Sequence, residues 1–66
     1  MRFVPYHLHH KHGCMIADYT WWHDHHYDVI DWMRQHLPRG EQHAKGMTIE
    51  FDSEQEALMF MLRWQA

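Results

Sequence analysis

Cysteine occurs once, at Cys14, so the chain cannot close a disulfide on itself. The N-terminal stretch MRFVPYH lacks the apolar core of a secretory leader. Together these place the protein in the cytoplasm as an expectation. The longest unbroken apolar run is Ala57 to Leu62, far short of the ~20 residues that cross a bilayer, and no membrane partner is expected. The six Lys and Arg are dispersed as Arg2, Lys11, Arg34, Arg39, Lys45 and Arg63. Sequence-independent attraction to phosphates needs clustered cations, so this spacing argues against nucleic acid as a partner. Gly13, Gly40 and Gly46 make no phosphate-binding pattern, and neither paired CxxC nor HExxH is present. No cofactor is expected.

What is present is a dense apolar and aromatic complement. Hydrophobic residues make up 45% of the chain and aromatics 15%, with four Trp and six Met, a globular rather than a disordered composition. Sixty-six residues make one domain, 1–66, that buries only ~60% of the surface its unfolded chain exposes, so its core has to be dense or shared. The formal charge is −3 with nine neutral histidines, and protonating all nine would reverse the sign.

The organising stretch is residues 19–37, YTWWHDHHYDVIDWMRQHL. Tyr19, Trp22, His26, Val29, Ile30, Met33 and Leu37 recur at three- and four-residue steps and predict the core face of a helix about five turns long. Trp21, His25, Asp28, Trp32 and His36 run up a neighbouring side. Asp18 or Thr20 can cap its start, and Pro38 with Gly40 ends it. Before it, Val4, Tyr6 and Leu8 alternate with Phe3, Pro5, His7 and His9, which predicts a strand with the first set buried and, because Pro5 has no N–H to give, a place at the sheet edge. Cys14 to Asp18 returns as a second strand, unless residues 1–13 form an extended arm. Residues 41–46 read as a loop, and Met47, Ile49 and Phe51 alternate with Thr48, Glu50 and Asp52 as a third strand. Ser53-Glu54-Gln55-Glu56 has the capping-box pattern that opens a last helix, whose Ala57, Phe60, Met61 and Trp64 share a side widened by Leu58 and Leu62. The fold class expected is α+β. It is a small two-layer sandwich of β-hairpin (or N-terminal arm plus strand), helix, strand and helix, with both helices on one sheet face. The connection through the long helix predicts a right-handed crossover between parallel strands. The opposite sheet face, carrying Phe3, His7 and His9, is left for a partner.

Among the nine histidines, His7 and His9 lie on one side of a strand and His23 and His26 lie one turn apart on a helix. Both spacings suit zinc, so these four are the candidate metal ligands. Asp24, Asp28 and Asp31 form a ridge of the kind usual on a solvent face, and Cys14 has the apolar setting of a small core residue rather than a nucleophile. The aromatic line admits two readings, core or contact surface. In the second, Phe3, Trp21, His25, Trp32 and His36 are the candidate partner-binding residues, since Trp is favoured at interface centres. A two-helix, one-sheet monomer leaves such residues in water, and a homodimer covers them.

The tract His9-His10-Lys11-His12-Gly13-Cys14-Met15-Ile16, followed by Tyr19-Thr20-Trp21-Trp22, Asp31-Trp32-Met33, Gly46-Met47-Thr48-Ile49-Glu50-Phe51 and Phe60-Met61-Leu62-Arg63-Trp64, resembles short uncharacterised accessory proteins of tailed phages of marine bacteria. The resemblance spans most of the chain and carries no catalytic residues. It implies a small protein in the cytoplasm of an infected host that binds a host or phage protein. The function expected is therefore a non-enzymatic protein-binding or regulatory module; the alternative is a histidine-rich, zinc-type metal-binding protein.

Overall fold

In a computed structural model of the chain, which describes residues 2–8 and 11–65, the order is β1 (Phe3–Leu8), β2 (Lys11–Ile16), α1 (Tyr19–His36), a 3-10 turn (Gly40–His43), β3 (Ala44–Lys45), β4 (Thr48–Phe51) and α2 (Glu54–Trp64). The strands form one sheet in the order β1-β2-β4-β3, every neighbouring pair antiparallel. Both helices lie on one of its faces, and the fold is the expected small α+β domain. β1 is an edge strand, as Pro5 requires.

Each helix starts where a side chain can accept from its free N–H groups. Asp18 Oδ1 takes the Trp21 N–H at 3.0 Å and opens α1. Ser53 Oγ takes the Glu56 N–H at 3.2 Å and opens α2. The Glu56 carboxylate reaches back to the N–H of Asp52 at 3.1 Å, one residue earlier than a capping box would have it. Pro38 follows directly on the C-terminal cap of α1 at Leu37, whose N–H still donates to Met33 O at 2.8 Å.

The sheet departs from the expected crossover. The chain leaving α1 does not pair with β2. It forms the two-residue β3 at the far edge, turns at Gly46 with φ +63°, and comes back as β4 between β3 and β2. β2 and β4 are consequently antiparallel, and β3 occupies part of what looked like a loop. Two residues are too few to show alternation, which is why β3 gave no period-of-two signal.

The core sits between sheet and helices. Phe3, Cys14, Ile16, Ile49 and Phe51 from the strands meet Val29, Met33 and Leu37 from the first helical segment and Phe60 and Trp64 from α2. Phe3 is fully buried, with its ring edge-on to Trp21, Trp22 and Phe60 at 5.6, 6.5 and 5.0 Å. This inverts the face expected of β1 and removes Phe3 from the candidate contact surface: Val4 is the exposed residue, and Phe3 is core. Burying a Phe contributes about 1.5–3 kcal/mol, more than the half-exposed Val4 forgoes. The Tyr19 side chain is exposed at the start of α1, and Leu58 and Leu62 on α2 are 56% and 84% exposed rather than part of the core.

The open sheet face carries Val4, Tyr6, Met15, Lys11, Glu50 and Lys45. Glu50 lies 3.0 Å from Lys45 and 3.9 Å from Lys11. The hydrogen bond from Lys45, helped by the charge of Lys11, holds its carboxyl below the usual range. Tyr6 pairs across the ladder with Gly13 and lays its ring over it. A Cβ at Gly13 would stand 2.6 Å from the ring and 2.8 Å from the Ile49 carbonyl oxygen, so Gly13→Ala should destabilise the fold by about 1–3 kcal/mol. Urea unfolding checks this, and a midpoint equal to wild type would mean the ring moves aside freely.

Candidate functional site

The line of residues on the flank of α1 becomes one wall of a groove. Trp21, His25, Asp28, Asp31, Trp32 and Gln35 face Arg2, ahead of β1, and Arg63 and Trp64, at the end of α2, across an open concavity of about 540 Å³. Steps of three and four residues stack these side chains along one side of the helix. The aromatic floor is tightly arranged. Trp21 meets Phe3 and Trp64 edge-on at 5.6 and 6.0 Å, and Trp32 meets Phe60 edge-on at 5.9 Å. Arg2 holds its guanidinium 4.5 Å above the Trp21 ring and donates from Nη1 to the Trp64 carbonyl at 2.9 Å. Arg63 lies 3.9 Å over the Trp64 ring. Both are cation–π contacts, which orient the guanidiniums along the groove. The buried Nε1–H of Trp64 has no hydrogen-bond acceptor among the described residues.

A local unit repeats along α1. His25 stacks on Trp21 at 4.7 Å and donates its Nδ1–H to the Trp21 carbonyl at 2.9 Å. His36 does the same with Trp32, at 4.6 Å and 2.9 Å. His26 donates to the Trp22 carbonyl at 3.1 Å with a more tilted ring. In each case a carbonyl can only accept, so the proton of the neutral ring sits on Nδ1. The W-x-x-x-H spacing is visible in the sequence three times, and its structural content is a Trp–His stack pinned to the helix backbone.

Of the candidate contact residues, Trp21, His25 and Trp32 line the groove, His36 stacks beyond its lining residues, and Phe3 lies beneath it in the core. Trp21 and Trp32 are half-buried, so the two readings of this stripe combine: the inner edges pack on the core and the outer faces form the groove.

The proposed metal ligands do not assemble among the described residues. His7 lies on β1 with its ring stacked on its cross-strand neighbour His12 at 4.5 Å. His23 and His26 lie on α1 with rings 6.4 Å apart, and His9 lies outside the described residues. The converging group is His43, Asp52 and Glu56, whose ligand atoms are all within 4.8 Å of one another. His43 lies seven residues from the nearest histidine in the sequence, and the 3-10 turn and the β4–α2 junction bring it to the two carboxylates. His7 and His12 also border a smaller concavity of about 350 Å³ with Pro5, Ala57, Leu58 and Met61.

No protein-family model, curated protein or solved structure matches the chain.

Asp28 and Asp31 of the acidic ridge both line the groove wall, and Asp31 also pairs with Arg34 at 3.4 Å. Cys14 is fully buried, and burial pushes its thiol up to about 12. The neutral thiol is a core group, not a nucleophile. Thiol reagent at pH 8 should therefore leave the native protein unlabelled and react fully once denaturant is added; rapid native labelling followed by mass spectrometry would contradict the burial.

Proposed function

We propose that the chain is a non-enzymatic binding module that receives an extended segment of a partner protein in the groove between α1, α2 and the start of β1. The observation that carries this reading is the convergence of three indoles, two guanidiniums and two carboxylates on one open concavity. Trp and Arg are the side chains most enriched where interfaces are strongest, because they offer large contact area and directional polar groups together. Arg2 and Arg63 on one side, with Asp28 and Asp31 on the other, give the groove two oppositely charged walls, which suits a segment bearing charges of both signs and fixes its direction. Four of the six cations, Lys11, Arg34, Arg39 and Lys45, are spent in ion pairs, which favours protein over nucleic acid. The resemblance to phage accessory proteins makes a host or phage protein the partner class, met in the cytoplasm.

The experiment is affinity capture of the partner followed by titration of the purified pair. Asp28→Lys with Asp31→Lys reverses one wall at exposed positions and should weaken binding at least tenfold while the fold is kept. The emission of the groove tryptophans should shift in the wild-type titration. An affinity unchanged by the double reversal, with amide shift changes confined to the open sheet face, would overturn the groove.

Self-association belongs to the same reading, moved from the surface first expected. Leu58 and Leu62, one turn apart on α2, are among the described residues the large aliphatics left most in water, and a two-fold contact covers the same patch on both copies. Light scattering at micromolar concentration should report a dimer that Leu58→Lys with Leu62→Lys converts to monomer. A monomeric wild-type protein would remove the homodimer.

A further inference from the structure

Among the described residues, His43 is the one polar side chain buried in the core, and its two ring nitrogens are unequally served. Nδ1–H donates to the Glu50 carbonyl at 2.7 Å, which fixes the tautomer and leaves Nε2 as an acceptor. The contact made by Nε2 is with the Arg39 N–H at 3.4 Å, longer than a well-formed hydrogen bond. The lone pair of a fully buried ring is thus held by one long hydrogen bond, which a metal ion, a stronger Lewis acid than an amide N–H, can replace. Beside the ring stand Asp52, exposed, and Glu56, half-exposed, each offering a carboxylate oxygen within 4.8 Å of the other and of a His43 ring nitrogen; since Nδ1 carries the proton, Nε2 is the one that can ligate. Glu56 gives Oε1 to the Asp52 N–H and keeps its other oxygen free of hydrogen bonds among the described residues.

We propose that His43 Nε2, Asp52 and Glu56 form a binding site for a divalent transition-metal ion of the zinc type, with water completing its shell. One imidazole nitrogen and two carboxylate oxygens are a donor set such ions accept, at about 2.0–2.2 Å from the metal. Around a tetrahedral ion the donor atoms stand about 3.4 Å apart, so a cluster spanning up to 4.8 Å has to contract by up to about 1.4 Å, through side-chain rotation at Asp52 and Glu56. The bond from Nδ1–H to a backbone carbonyl is the arrangement that orients metal-bound histidines and raises their basicity. Arg39 is the competitor. Its guanidinium holds both oxygens of Asp52 at 2.7 and 3.1 Å, a bidentate pair, and a divalent ion has to displace it from one oxygen at a cost that exposure to solvent lowers. Bound metal would tie the 3-10 turn to the start of α2. The site is separate from the groove and does not depend on its reading.

The test uses Zn²⁺ alone, with imidazole nitrogens followed by long-range proton–nitrogen correlation so that His43 is distinguished from the other histidines. The first equivalent should shift His43 Nε2 and raise the melting temperature. Glu56→Gln, which preserves the hydrogen bond to Asp52, should weaken this first binding about tenfold and abolish the thermal gain. Arg39→Gln should strengthen it about fivefold by removing the competing cation. A first equivalent that goes to His7 and His12 or to His23 and His26, or an affinity indifferent to both substitutions, would overturn the site and leave His43, Asp52 and Glu56 as structural groups.

Discussion

The burial of Phe3 is the constraint from which the rest of the molecule follows. Its ring touches Trp21 and Trp22 on α1 and Phe60 on α2, so one side chain near the beginning of the chain connects the sheet to both helices. The backbone of the same residue is held by the Gln65 side chain, whose Oε1 accepts the Phe3 N–H at 3.0 Å and whose Nε2 donates to the Phe3 carbonyl at 2.8 Å. Once Phe3 points inward, the pleat sends Val4 and Tyr6 outward. Tyr6 then lies over Gly13, and Arg2 is delivered to the Trp21 ring and the Trp64 carbonyl at the groove.

Helices were legible in the sequence because their signals are local. Asp18 and Ser53 stand at the helix starts, and Leu37 with Pro38 at the stop, within about a residue of where the pattern placed them. The phase of β1 was not legible. Phe3-Val4-Pro5-Tyr6 offers apolar groups on both parities, and alternation says that one face is buried without saying which. What decides is the space between Trp21, Trp22 and Phe60, a tertiary fact. The parallel crossover failed for a related reason: handedness rules govern a strand that returns beside its predecessor, and here β3 lands one position further out and leaves a slot that β4 fills in the opposite direction.

The groove was half visible. Trp21, His25, Asp28 and Trp32 follow from helical spacing, because they belong to one element. Arg2, Arg63 and Trp64 come from the two ends of the chain, and no periodicity links those to residue 21. The His43 cluster was invisible for the same reason in stronger form, since its members lie on a 3-10 turn, a strand exit and a helix start. His7 with His9 and His23 with His26 are pairs by sequence spacing, whereas convergence in space depends on the turn at Gly40–His43. The second nitrogen of His43 was equally out of reach, because only the backbone of β4 shows that Nδ1 is occupied.

The Gln65 amide does more than fasten the two ends of the chain. On an edge strand, outward N–H and C=O groups recur at every second residue and form a template on which foreign strands can add, the first step of amyloid growth and strand exchange. At Phe3 both groups are already taken by Gln65, and at Pro5, two residues on, there is no N–H to offer. The opposite edge is β3, only two residues long. Among the described residues, the two edges of the sheet thus offer a foreign strand only short runs of free backbone groups on which to add.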